Sequence, residues 1–284
     1  TLQRRVGGKL HMYAAEMAGN CGITTWLTNS QVVHYTADEP TGPWTRKDVV
    51  LPVWGHCPSV ALTPNDTVVM WAFKGHHTPI NGSADKWGNT CRGGASPCGF
   101  AKHGCGSNAP PPPNATTGSE AMSMQPIESR GRPTHEEMLT AETSLLPLVV
   151  SVAGVDGPWE NAYATINEPV SFSIAAPWFL ANGTAFWVLQ ASCLTPEAGT
   201  CGTIIRAQSW EGPYEVIARG ACTIGEDHSM YVDARGAFHC ITHRFSNPKL
   251  PGGPFDAHYD GGHAFSPDGR DPWFCADGMG GHGR

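Results

Sequence analysis

Short apolar runs separated by polar turns recur along this chain of 284 residues. The clearest pair occupies positions 230–232 and 238–241, around an Asp-Ala-Arg-Gly turn in which Gly236 supplies the backbone freedom that a tight turn needs. Similar pairs flank the polar turns at 63–66 and 182–183. Long stretches with apolar residues at helical spacing are missing, so the pattern predicts β-hairpins throughout.

A second mark follows each pair of predicted strands. Gly-Pro-Trp or Gly-Pro-Tyr ends at Trp44, Trp159 and Tyr214, and a variant ends at Trp273. From Trp159 to Tyr214 is 55 residues, and from Tyr214 to Trp273 is 59. A period of this size with several strands per unit is typical of a β-propeller. We count about four units and expect the opening strand of the first to lie before residue 1, so the sequence would be a fragment.

A long segment interrupts the second unit at about residues 75–144. It contains Cys91, Cys98 and Cys105, four consecutive prolines at 110–113, and few apolar residues. Cysteines near histidines could indicate zinc, but the close Cys-x-x-Cys pairs of structural zinc sites are missing. We therefore interpret the segment as an irregular, disulfide-bonded or disordered insertion, with no metal, in a single propeller domain spanning 1–284.

Composition limits the partners and the compartment. The net charge of −7 argues against nucleic acid, and no run approaches the ~20 apolar residues of a membrane span. Ten cysteines and the glycosylation pattern Asn-x-Ser/Thr at four positions favour a disulfide-bonded glycoprotein that is secreted or lumenal. The four asparagines are Asn65, Asn81, Asn114 and Asn182. Among the cysteines, Cys193 with Cys201 is the best candidate for a local disulfide. We also expect the protein to be a monomer.

Acidic side chains stand where one predicted strand begins. Glu226 and Asp227 precede the run at 230–232, while His56 and Asn167 precede strands in the second and third units. We expect Asn167 to occupy the register of Glu226 in the third unit. If the first strand of each unit lines the propeller axis, these side chains share a pocket. The alternatives are a solvated strand end for the two acids and turn caps for His56 and Asn167. Trp44, Trp159 and Tyr214 are better explained by packing between units than as sugar platforms.

The units resemble those of the five-bladed β-propeller glycosidases, the group that contains glycoside hydrolase families 43 and 32. The resemblance rests on the Pro-Ser and Glu-Asp strand openings, the Gly-Pro-aromatic endings, and Gly-His-Ala-Phe-Ser-Pro-Asp-Gly before Trp273. It is nearest to family-43-like proteins of algae and other eukaryotes, and it covers most of the chain except the insertion. It implies an all-β, five-bladed propeller with an acidic funnel at its axis.

The resemblance also implies roles for individual residues. Glu226 is the expected general acid of an inverting hydrolase, Asp227 its modulator or a sugar ligand, and Glu168 a rival acid. His56 and Asn167 are expected to contact sugar. His263 resembles a last-blade histidine that points to the axis, near a central water or a calcium ion, and no other cofactor is expected. His228 replaces the usual proline. In the group, the water-activating base lies on the first strand of the first blade. That strand is expected to lie before residue 1, so no base can be assigned.

The resemblance favours a glycoside hydrolase acting on plant or algal polysaccharide or oligosaccharide. A catalytically inactive carbohydrate-binding propeller is the main alternative, because the base is missing and His228 departs from the pattern. A sialidase-like propeller ranks third: residues 266–273 approach an Asp-box, but only one copy is visible and no arginine triad can be assigned.

Overall fold

The computed structural model describes residues 5–18, 30–52, 55–74, 143–192, 200–222, 225–244 and 260–275. Within these ranges the regular structure is β-strand. The strands are β1 (Leu10–Met17), β2 (Ser30–Ala37), β3 (Thr45–Leu51), β4 (Gly55–Leu62), β5 (Val68–Lys74), β6 (Ser144–Ser151), β7 (Glu160–Ile166), β8 (Phe172–Phe179), β9 (Ala185–Ser192), β10 (Thr200–Ala207), β11 (Glu215–Arg219), β12 (Glu226–Val232), β13 (Phe238–Arg244), β14 (Asp260–Ser266) and β15 (Phe274–Cys275). No described helix is long and apolar enough to cross a bilayer.

The strands form four separate antiparallel sheets in chain order. The first sheet is β1-β2-β3, the second β4-β5-β6-β7, the third β8-β9-β10-β11, and the fourth β12-β13-β14-β15. Each strand pairs with its neighbour in the sequence, which is the up-and-down connection of propeller blades. The all-β prediction and its repeat unit are confirmed.

Among the described residues, the first sheet has no counterpart of the opening strand of the other three sheets. In the second and third sheets, a glycine with positive φ, Gly157 or Gly212, precedes the proline in the turn between the third and fourth strands. The equivalent Gly42, with φ of 84°, lies between β2 and β3. β1, β2 and β3 therefore correspond to the second, third and fourth strands of a unit. The predicted incomplete first unit is confirmed within the described residues.

Neighbouring sheets pack face to face through three apolar clusters. Val32, Leu51 and Met70 belong to the cluster between the first and second sheets. Leu146 and Trp187 belong to the cluster between the second and third. The cluster between the third and fourth sheets includes Val188, Met230 and Phe238. The opening strands β4, β8 and β12 contact one another in that order, so they line the side on which the sheets converge.

A disulfide joins the third sheet to the fourth. Cys222 follows β11 and is bonded to Cys240 in β13, and both residues are buried. Cys201 is also disulfide-bonded. The predicted partner of Cys201, Cys193, lies outside the described residues.

The long insertion falls between two paired strands of the second sheet. β5 ends at Lys74 and β6 begins at Ser144, and the two strands pair from Val68 with Ser151 onward. Residues 75–142, including Cys91, Cys98 and Cys105, lie outside the described residues.

Candidate active site at the start of the inner strands

Equivalent positions in the opening strands are fixed by counting back from each hairpin turn. Leu62, Phe179 and Val232 are the last paired residues before their turns. His56, Ile174 and Glu226 share one position in the strand pairing, because each pairs with the sixth residue of the strand that follows its turn. The expectation that Asn167 shares the register of Glu226 is therefore wrong. Asn167 lies in the connection before β8, because β8 begins only at Phe172.

A β-bulge follows this position in the second and fourth sheets. The strand register shifts between His56 and Ser59 and between Glu226 and Ser229. Cys57 and Asp227 occupy the bulges with φ of 47° and 54°, in the left-handed region that non-glycine residues seldom adopt. Bulges redirect side chains and are common beside active sites. In a regular strand successive side chains point to opposite faces, so only one of Glu226 and Asp227 would face the pocket. The bulge interrupts this alternation, so the rule does not apply here.

A pocket of about 250 Å³ opens between these strand starts, and we call it the axial pocket. It is lined by residues of all three opening strands. They are Cys57, Pro58, Ser59, Ile174, Asp227, His228 and Ser229. Asp227 is the one carboxylate among these described lining residues.

Glu226 lies beside the axial pocket and is half-buried. Its Oε1 atom is 3.1 Å from Nδ1 of His243 in β13. Partial burial raises the pKa of the Glu226 carboxyl, the neighbouring Asp227 charge raises it further, and His243 opposes both effects. Burial and a like charge are the two environments that keep a carboxylic acid protonated toward neutral pH. Glu226 thus has the electrostatic setting of a proton donor.

Gln190 and His243 hold the two acids and were missed in the sequence analysis. Gln190 is buried in β9, and its Oε1 atom accepts a hydrogen bond of 2.8 Å from the backbone N–H of Asp227. His243 is paired with Glu226 across the hairpin. A five-residue turn at 233–237 brings Glu226 close to residues 243 and 244, so counting across the hairpin could have found His243. Gln190 comes from the neighbouring sheet and left no such signal.

His56 reaches the same region from the second sheet. A hydrogen bond of 2.6 Å joins its Nδ1 atom to the hydroxyl of Ser30, which is fully buried at the start of β2. Burial lowers the pKa of His56, and the nearby Asp227 charge works in the opposite direction. Burial and the charges of Asp227 and Glu226 raise the pKa of the Cys57 thiol to about 12. Cys57 is therefore protonated at neutral pH and is not an activated nucleophile.

Glu168 and Asn167 lie beside the outer strand of the third sheet. The backbone N–H of Asn167 donates to the carbonyl of Tyr214, just before β11. Glu168 forms an ion pair of 2.5 Å with Arg219 at the end of β11. Both residues belong to the connection from β7 to β8 and are not among those that line the axial pocket. Glu168 thus lies beside the outermost strand of the third sheet, whereas Glu226 begins an innermost strand.

His263 lies two strands away from the opening strand of its sheet. Its Nε2 atom is 2.8 Å from Nδ1 of His239, and the two rings are stacked. His239 in turn stacks on Tyr231 and lies 3.5 Å from an Asp233 oxygen. The expected position at the axis is not observed, because the segment containing His263 forms the third strand of the sheet rather than the first.

Glu226, Asp227 and His243 could hold a divalent cation. One ligand atom from each lies within 4.8 Å of the others. Two carboxylates and an imidazole suit Zn²⁺ or Mn²⁺, whereas Ca²⁺ takes six to eight oxygen ligands. This donor set is not typical of calcium, and no chemical step proposed for the chain involves calcium.

Structural comparison relates the four sheets to known enzymes. No family model and no curated protein sequence matches the chain. An exo-β-1,3-galactanase from Phanerochaete chrysosporium, solved with β-1,3-galactotriose, superposes with a TM-score of 0.51 at 10% identity, covering 95% of this chain and 47% of that one. The exo-β-1,3-galactanase from Clostridium thermocellum gives 0.50 at 11% identity, covering 96% and 46%.

A third neighbour is a family 117 glycoside hydrolase from the marine bacterium Zobellia galactanivorans. Its TM-score is 0.51 at 13% identity, and the match covers 95% of this chain and 66% of the neighbour. The chain thus spans about half the length of the two galactanases and about two thirds of the family 117 enzyme. Identities this low relate the folds alone. The chain has the β-propeller fold that these glycoside hydrolases share.

Proposed function

We propose that the chain acts as a glycoside hydrolase, with a carbohydrate bound at the axial pocket and Glu226 as the general acid. The observation that carries the proposal is the setting of Glu226, whose pKa is raised by partial burial and by the adjacent Asp227 beside that pocket. A protonated carboxyl can donate to the glycosidic oxygen as the bond breaks. The galactan-degrading neighbours of the same fold point to a polysaccharide or oligosaccharide as the substrate class.

Asp227 supports the acid rather than serving as the second catalytic carboxylate. Its oxygen lies within 4.8 Å of a Glu226 oxygen. Inverting enzymes separate their two carboxyls by ~6.5–9.5 Å so that a water fits beside the sugar. The Glu226–Asp227 pair is too close for that arrangement. We therefore assign Asp227 to keeping the proton on Glu226 and to binding sugar hydroxyls, and we propose an inverting mechanism whose base belongs to neither residue.

A catalytically inactive carbohydrate-binding propeller is the second candidate. It is favoured by the single carboxylate among the described residues that line the axial pocket. It is also favoured by the contact of Glu226 with His243, which can hold the side chain in a purely structural role. The sialidase-like alternative gains no such support, because none of the described residues lining this pocket is an arginine.

We further propose that the protein works as a monomer in the secretory pathway or outside the cell. The Cys222–Cys240 disulfide supports an oxidising compartment.

The test is a panel of β-1,3-galactan, arabinan, algal polysaccharides and aryl glycosides, assayed for both hydrolysis and binding with the parent protein and Glu226→Gln. We expect the parent to hydrolyse at least one substrate, with inversion at the anomeric carbon seen by NMR, and the variant to bind that substrate without cleaving it. Binding without hydrolysis by the parent would favour the second candidate. Hydrolysis that survives Glu226→Gln would refute the assignment of the acid.

A further inference from the structure

A second pocket lies at the opposite end of the inner strands from the axial pocket. β4 and β8 run from the axial pocket to the turns at 63–67 and 180–184, and these two turns form the second pocket with residues 208–211. Its volume is about 300 Å³. Its lining is rich in amide and hydroxyl groups around one indole. The lining residues are Thr63, Pro64, Asn65, Ala181, Asn182, Gly183, Gln208, Ser209, Trp210 and Glu211.

Two asparagines in this pocket occupy the same repeat position. Asn65 and Asn182 each stand three residues after the last paired residue of the opening strand. Both begin an Asn-x-Thr pattern, the acceptor sequence for N-linked glycosylation. The equivalent residue in the fourth sheet is Arg235, which begins no such pattern. Two acceptor sequences 117 residues apart in the chain therefore converge on one pocket.

The hydrogen bonds of the turns use the oxygen of each amide. The Asn182 Oδ1 atom accepts from the backbone N–H of Thr184 at 3.0 Å, and the Asn65 Oδ1 atom accepts from the Thr63 hydroxyl at 2.5 Å. Both asparagines are exposed. No hydrogen bond joins either Nδ2 atom to another described residue, so the atom that carries an N-linked sugar is available on both side chains.

We propose that Asn65 and Asn182 are N-glycosylated and that the second pocket seats the first sugar of one of these glycans against Trp210. The modification transfers an oligosaccharide from a lipid diphosphate donor. The sugar C1–O bond to phosphate breaks, a C1–N bond to Nδ2 forms, the lipid diphosphate leaves, and the amide loses one proton. The proposal stands independently of the glycosidase assignment.

Trp210 and its neighbours provide the chemistry of a sugar seat. The indole is half-buried, packed on one side against the core between the second and third sheets, and it also lines the pocket. An aromatic ring held in this way offers a flat apolar surface to the C–H face of a pyranose. Gln208, Ser209 and Glu211 also line the pocket and supply polar side chains that can hydrogen-bond to the sugar hydroxyls.

The test uses the full chain secreted from a eukaryotic host and mapped by glycopeptide mass spectrometry. We expect glycans at Asn65 and Asn182. Asn65→Asp and Asn182→Asp keep the acceptor oxygen of each turn, and each variant should lose one glycan without unfolding. Arg235→Asn with Ala237→Thr creates the same Asn-Gly-Thr sequence in the equivalent turn of the fourth sheet, away from the pocket, and serves as the matched control.

Release of glycans from the folded protein by a peptide N-glycosidase tests the seat. We expect one of the two native glycans to be released about tenfold more slowly than the glycan at the introduced position, the ratio that 1.4 kcal/mol of contact corresponds to. Trp210→Ala should abolish the difference. The proposal is overturned if Asn65 and Asn182 stay unmodified while the introduced position is modified. Equal release rates for the Asn65 and Asn182 glycans of the parent would overturn the proposed sugar seat, whether or not the Trp210 variant folds.

Discussion

Removing one hydroxyl from the interface between the second and third sheets should destabilise the protein measurably. Tyr214 is fully buried, and its hydroxyl accepts a hydrogen bond of 2.9 Å from the indole N–H of Trp187, which is also fully buried. The same hydroxyl donates to the carbonyl of Trp210 at 2.9 Å. Tyr214→Phe keeps the ring but leaves the Trp187 N–H buried without an acceptor.

The expected cost follows from that unpaired donor. A buried polar group left without a partner costs about 1–3 kcal/mol. For a domain of this size, each kcal/mol lowers Tm by about 2–4 °C, so a loss of 2 kcal/mol would appear as about 4–8 °C. Circular dichroism during thermal and urea unfolding measures both quantities.

Tyr163→Phe is the matched control for this prediction. Tyr163 lies in β7 with 60% of its surface exposed, and exposed substitutions usually change stability by less than about 0.5 kcal/mol. If Tyr214→Phe proved as mild as Tyr163→Phe, the conclusion that this aromatic residue of the Gly-Pro-Tyr repeat supports the sheet interface would be refuted.

Two further predictions concern the acid pair and the disulfide. Glu226 must be protonated to act, so activity should fall as pH rises through its pKa. Asp227→Asn removes a charge that raises the pKa of Glu226, so it should move the basic limb of the kcat/KM profile to lower pH. His243→Gln removes an influence that lowers this pKa, so it should move the limb to higher pH. Shifts of both variants in the same direction would contradict the assignment of Glu226. Cys222→Ala with Cys240→Ala opens a link across 18 residues and should cost about 3 kcal/mol in urea unfolding; an unchanged midpoint would show that the link does not restrain the unfolded chain.

The sequence was sufficient to predict the fold, because each sheet repeats the same local pattern. The runs at 230–232 and 238–241 lie in β12 and β13, and Gly236 in the turn between them has φ of 87°. The resemblance to propeller glycosidases is confirmed at the level of fold by the structural neighbours. Periodic apolar runs and turn glycines are local signals, so they can be recognised without knowing what packs against them.

Much of the candidate site could not be predicted in this way. Asn167 was assigned to the wrong register, because a Pro-containing connection before β8 resembled the start of a strand. The bulge that accommodates Asp227 depends on pairing with β13, and Gln190 approaches from a different sheet. His263 was expected at the axis by resemblance, but it lies on the third strand of its sheet beside His239. These features depend on contacts between strands and sheets, which no single segment specifies.

The most direct test of the central claim compares Glu226→Gln with Glu168→Gln on two classes of substrate. A general acid contributes about 10²–10⁴-fold when the leaving group needs a proton, and little when it does not. We predict that Glu226→Gln lowers kcat/KM by that factor on an unactivated oligosaccharide but leaves cleavage of a dinitrophenyl glycoside nearly unchanged, while Glu168→Gln cleaves both substrates like the parent. The opposite pattern, in which Glu168→Gln and not Glu226→Gln loses activity only on the unactivated substrate, would contradict the account. The general acid would then be Glu168, in the connection between β7 and β8.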